Sequence, residues 1–214
     1  MKHFSIAFLF LTSILSTAAM AQRADIALTA GASSVSDAHM AFACPFGVPC
    51  LLVPPETIKT EHQVFLEGTV GFRLVKTKAA SIHLEVPIAG IPNQTVRFTS
   101  STVLSTARLS SFYITPSIKT KFLPDAPISP WISLGGGLAH FSFPDDPTNK
   151  IALQLGGGAD IKTPFPRFGL RLEVRDFLSG HPSFGTPGIP LAGSAEGGLS
   201  RHNVLAGGGL VIHF

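Results

Sequence analysis

Apolar and polar residues alternate along most of this chain with a period of two. In residues 168–175, Phe168, Leu170, Leu172 and Val174 share one parity, while Arg171, Glu173 and Arg175 share the other. A pleated strand sends successive side chains to opposite faces, so this parity predicts a strand whose faces meet different surroundings. Six more segments behave alike. In 26–32, Ile26, Leu28 and Ala30 oppose Ala27 and Thr29. In 64–75, Val64, Leu66, Val70, Phe72 and Leu74 oppose Glu67, Thr69 and Arg73. In 81–88, Ile82, Leu84, Val86 and Ile88 oppose His83 and Glu85. In 112–122, Phe112, Ile114, Ile118 and Phe122 oppose Tyr113, Thr115, Lys119 and Lys121. In 151–162, Ile151, Leu153, Leu155 and Ile161 oppose Gln154, Asp160 and Lys162. The last segment, 204–214, gathers Val204, Leu210, Ile212 and Phe214 on one side. No charge falls on the apolar face of any of the seven.

An eighth segment, Trp131 to Phe143, is apolar at both parities, so its period does not orient it. The expectation adopted is that Trp131, Phe141 and Phe143 point to lipid as interfacial aromatics, with His140 facing inward. The links between segments differ in length. Lys76–Ala79, Pro124–Ser129, Thr163–Arg167 and Pro144–Asn149 are short, and Ser33–His62, Ala89–Ser110 and Ser179–His202 are long. Short turns at one end and long loops at the other suit a barrel with both termini in the periplasm. Thr95–Leu104 is compatible with an extra strand pair or with an extension beyond the membrane.

Composition supports a membrane setting. Charged residues make up 14% of the chain and hydrophobic ones 45%, against roughly 25% charged in ordinary globular proteins. No stretch after the amino terminus supplies the roughly twenty unbroken apolar residues that a spanning helix needs. A barrel reconciles the two facts by placing apolar residues at alternate positions. Residues 1–21 read as an export signal: Lys2 and His3, an apolar run from Phe4 to Leu15, and Ala19-Met20-Ala21 before Gln22. Cleavage there leaves one domain, 22–214. The net charge of +3, with no basic cluster, gives no case for nucleic acid. Cys44 and Cys50 frame a short segment in the first long loop. In an exported chain they read as a local disulfide, worth about 2 kcal/mol through the unfolded state. Two thiols alone do not make a metal site, and no cofactor is implied.

With these features in place, the chain resembles the small outer-membrane β-barrels of the OmpA/OmpX type. The resemblance rests on the export signal, the eight alternating segments, the glycine triplets 135–137, 156–158 and 207–209, and the ending Val211-Ile212-His213-Phe214. It implies an all-β, eight-stranded, antiparallel, up-and-down transmembrane barrel in a Gram-negative outer membrane. It also implies that outer-membrane lipid surrounds the barrel and that Phe214 is read by the barrel assembly machinery. No cell-wall-binding domain follows, so that role of larger members is not carried over.

The interior positions Glu67, Arg73, Glu85, Lys119, Lys121, Asp160, Arg171, Glu173 and Arg175 converge on a narrow lumen. Their mixed signs favour an ion-pair network that plugs it, or at most a narrow solute pore, over a charge-selective channel. Glu173 is expected to pair with a basic residue on a neighbouring strand. The glycine triplets lack the Lys-Ser/Thr ending and the strand-turn-helix context of phosphate loops; close packing in strands accounts for them. Glu196, Ser200 and His202 are raw material for a nucleophile, base and orienting group, but the expectation is that the chain is not an enzyme. His39, His62 and His181 read as solvated loop residues. The long loops are the expected binding surface, and their extracellular partner is not specified. Two alternatives remain: a soluble periplasmic, lipocalin-like calyx with its apolar face around a ligand, and an outer-leaflet lipid-modifying enzyme.

Overall fold

The computed structural model describes residues 24–36, 38–40, 56–99, 104–142, 147–180 and 201–214. The export segment and the Cys44–Cys50 segment lie outside them. Every regular element described is a strand: β1 (Ala24–Val35), β2 (Ala38–Met40), β3 (Glu56–Thr60), β4 (Gln63–Lys76), β5 (Ala80–Thr99), β6 (Leu104–Ile114), β7 (Ser117–Phe122), β8 (Ile128–Ser142), β9 (Thr148–Lys162), β10 (Phe168–Ser179) and β11 (Arg201–His213). β6 and β7 form a single stave interrupted at Thr115-Pro116, because proline has no N–H to give to the ladder. Around the interruption, Thr115 N–H donates to the Pro87 carbonyl and Gly136 N–H donates to that of Pro116.

The staves β1, β4, β5, β6–β7, β8, β9, β10 and β11 pair antiparallel in that order, and β11 returns to β1. Eight staves close into a barrel. The seam between β1 and β11 runs from Asp25 opposite His213 to Val35 opposite Asn203. Closure leaves no open edge, which hydrocarbon surroundings demand of a sheet. Glycine makes the seam possible. A Cβ on Gly209 would lie 1.9 Å from the Leu28 carbonyl oxygen.

β5, with 20 residues, outruns the wall. Its outer part, Gln94–Thr99, pairs with Leu104–Leu109 of β6, and β3 and β2 add to its free side. Thr95–Thr99 and Leu104 therefore continue the staves, residues 100–103 lying outside the described residues, and much of the expected long link Ala89–Ser110 is strand. The register shifts between Ile91 and Gln94, where Asn93 takes a left-handed φ of 52°, a conformation asparagine tolerates better than most residues. Three short links, 77–79, 123–127 and 163–167, lie at the other end with Ala24 and Phe214.

The two faces of the wall are sharply divided. Leu170, Leu172 and Val174 are 44%, 56% and 51% exposed on the outside, whereas Arg171 and Glu173 are 1% and 4% exposed in the lumen. A soluble calyx requires the reverse. In β8 the orientation is opposite to that expected from sequence. Trp131 and Phe141 are fully buried in the lumen, and Ile132, Leu134 and Leu138 face outward. His140 shares their outward parity; Phe143 lies outside the described residues. Trp131 turns inward because three cations surround its ring, Lys119 and Arg171 at 5.4 Å and Arg175 at 5.1 Å, an attraction strengthened by exclusion of water. Outward phenylalanines do collect near the short-turn end, as Phe72, Phe122, Phe165, Phe168 and Phe214, where an interfacial girdle is expected.

Candidate functional site

The lumen is filled in two layers. Toward the long-loop end lies an apolar layer that includes Phe65, Ile91, Tyr113, Phe141, Phe177 and Leu205. Tyr113 packs edge-on to Phe141 at 6.0 Å and tilted on Phe177 at 4.7 Å, and its hydroxyl accepts a hydrogen bond from Asn203 Nδ2 at 3.0 Å. Arg201 is buried beside this layer, 5.3 Å from the Phe141 ring centre, with no carboxylate partner among the described residues. Neither the apolar layer nor Arg201 was evident from the alternation, which marks interior positions without saying what they touch.

Below it lies a charged layer. Arg175 stands at its centre and reaches three carboxylates: Glu67 at 3.0 Å, Glu85 at 3.0 Å and Glu173 at 3.1 Å. Lys119 meets the second oxygen of Glu85 at 2.9 Å. Arg171 grips Asp160 through two nitrogens at 2.8 and 3.1 Å, the fork geometry that makes arginine–carboxylate pairs strong, and Lys121 joins Asp160 at 2.9 Å. Hydroxyls donate to the remaining lone pairs, Thr69 to Glu67 and Thr29 to Glu173. Four carboxylates thus face four cations in this layer, so it offers no net field to select ions by sign.

Glu173 departs from expectation. Its cationic partner is Arg175 on its own strand. The positions opposite it on both adjacent strands are Gly158 and Gly207, which have no side chain to offer, whereas residues two apart on one strand point into the same narrow lumen. Arg73, the ninth predicted charge, lines a cavity of about 240 Å³ at the short-turn end. There Asp25 accepts from His213 Nδ1 at 2.6 Å and faces His83 Nδ1 at 3.5 Å, and Ser81 Oγ lies 2.9 Å from His83 Nε2.

Among the described residues, histidines also stand on the outer surface at the opposite end. His202 Nδ1 is 2.7 Å from Asp176 Oδ2; Glu196 and Ser200, its expected companions, lie outside the described residues. His140 Nδ1 is 2.7 Å from Asn149 Oδ1, and its Nε2 is 3.2 Å from Ser142 Oγ. His62 is exposed, with Nδ1 3.3 Å from the Ser33 carbonyl oxygen.

No protein-family model matches the sequence, and no curated protein matches it significantly. Solved structures do match the shape. The outer membrane protein OprG from Pseudomonas aeruginosa superposes with a TM-score of 0.51 at 11% identity, over 90% of this chain and 97% of that one. The fold is that of a small outer-membrane β-barrel. Neisserial surface protein A gives a TM-score of 0.49 at 11% identity, over 88% of this chain and 97% of that one. Ail of Yersinia pestis gives 0.46 at 12% identity, over 90% and 99%. At such identities the likeness to this barrel class concerns architecture, and residue roles rest on the geometry above.

Proposed function

We propose that the mature chain is an integral outer-membrane barrel with a structural or surface-interaction role, its lumen plugged and its long loops presented to the cell exterior. The observation that carries this reading is the inversion of the molecule: large aliphatic and aromatic side chains cover the outside while charges are buried. Such a surface is stable only against hydrocarbon. The staves are long enough. β8 and β9 have 15 residues each, and roughly 9 to 11 tilted residues suffice to cross. The two packed layers favour a closed lumen over a solute pore. Export by cleavage after Ala21, a Cys44–Cys50 disulfide and recognition of Phe214 during assembly belong to the same reading.

The test is fractionation followed by gel migration. The protein should sediment with outer membranes, resist carbonate extraction, and run at different positions before and after boiling. Recovery in the soluble periplasmic extract would refute the proposal.

A further inference from the structure

The outward face near the long-loop end carries a polar trio that the barrel does not need for closure. Cross-strand register places Leu66, Gly90, Phe112, His140 and Asn149 in a single row across β4, β5, β6, β8 and β9. Ser142 lies two residues beyond His140 on the same face. With the imidazole neutral, the hydrogen-bond directions in this trio follow from the amide. An amide oxygen only accepts, so Asn149 Oδ1 holds the imidazole proton on Nδ1, at 2.7 Å. Nε2 is left with a free lone pair, and the Ser142 hydroxyl donates to it at 3.2 Å. A hydroxyl, a neutral imidazole base and an orienting acceptor in that order are the parts of a nucleophilic hydrolase.

Beside the trio runs a groove of about 310 Å³, lined by Leu66, Gly90, Ile91, Pro92 and Phe112, with His140 and Ser142 also on its wall. Gly90 leaves it open, since a Cβ there would meet nothing within 4 Å. We propose that Ser142, His140 and Asn149 form a lipid-ester hydrolase centre, with the groove receiving an ester-linked acyl chain from the surrounding leaflet. Among the described residues, the other serine–histidine side-chain contact, Ser81 with His83, is enclosed within the barrel. The proposal departs from the expectation of no catalysis, and rests on the reading that this wall faces lipid.

In the reaction, Ser142 Oγ attacks the acyl carbonyl carbon and its proton passes to His140 Nε2. The carbon–oxygen bond to the alcohol breaks, and the departing oxygen takes that proton. Water then attacks the acyl-serine, giving one proton to His140, which returns it to Ser142 Oγ. One ester and one water yield one fatty acid and one alcohol. Ser142 and His140 touch the reacting atoms; Asn149 is a positioning residue.

The folded mature barrel in detergent is offered phosphatidylethanolamine and, separately, an acylated glycolipid from a Gram-negative outer membrane, and released fatty acid is measured by mass spectrometry. Release from either supports the proposal and identifies the source of the ester. An alkyl fluorophosphonate should add to Ser142, and Ser142→Ala should lower turnover by about 10³-fold or more. Asn149→Ala should lower kcat more than it raises KM and shift the pH profile, with Asn149→Asp restoring it. Gly90→Phe should move selectivity from long-chain toward short-chain esters by about tenfold. A barrel that shows the heat-dependent gel shift yet releases no fatty acid from either lipid and takes up no phosphonate overturns the centre. Loss of the gel shift itself counts against the lipid-facing reading instead.

Discussion

Arg175 holds three carboxylates around one guanidinium, and the consequences of removing either side differ. Truncating the cation strands the buried carboxylates of Glu67 and Glu173 and leaves Glu85 with Lys119 alone, and breaking a buried pair from one side costs about 3–5 kcal/mol. Arg175→Ala should therefore lose about that much stability in urea titrations of the micelle-bound barrel. Glu173→Gln keeps an oxygen acceptor for Thr29 and leaves Arg175 with Glu67 and Glu85, so a loss of about 1–2 kcal/mol is expected, the scale of a single hydrogen bond. Equal effects would show that the three contacts do not act as one cluster. The same residue shows where reading the sequence stops. Parity assigns Arg175 and Glu173 to the interior, but their partnership depends on glycines at 158 and 207 vacating the space opposite Glu173, and that requires the register of three strands.

At the level of strands, alternation was legible wherever the two faces met different surroundings, because hydrocarbon excludes charge from every second position. It was silent in β8, where both parities are apolar. The term that turns Trp131 inward comes from Lys119 on β7 and from Arg171 and Arg175 on β10, none of them local in sequence. The His140–Asn149 contact was hidden for the same reason, since it spans two strands and the expected orientation of β8 placed His140 in the lumen. Glycine spacing offers a sharp contrast between strands. Gly209→Ala drives a methyl into the Leu28 carbonyl at the seam, while Gly68 opens onto free space. The first change should remove the heat-dependent gel shift and Gly68→Ala should leave it intact. In the 123–127 turn, Lys76 Nζ donates to Asp125 Oδ1 at 2.7 Å; this hydrogen bond, with the lysine charge, lowers the Asp125 pKa below its ordinary 3.8. A lowered carboxylate pKa favours the folded turn above the unfolded value and loses that contribution as pH falls through the folded one. Carboxyl NMR titration should place the Asp125 midpoint below 3.8, and Lys76→Met should raise it.

For the whole molecule, two packed layers and a charge-balanced cluster predict no steady conductance. Planar bilayers containing the folded barrel should stay at baseline at neutral pH, and sustained open steps in the purified protein would show that the layers part. The seam has another consequence. Phe214 N–H donates to the Ala24 carbonyl at 2.9 Å, so the start of the first stave and the end of the last meet side by side after one full circuit of the wall. The wall is, in connectivity, almost a ring. A short linker joining those ends would let synthesis start at some other loop, turning the present seam into an ordinary hairpin and making a different pair of staves the last to find each other.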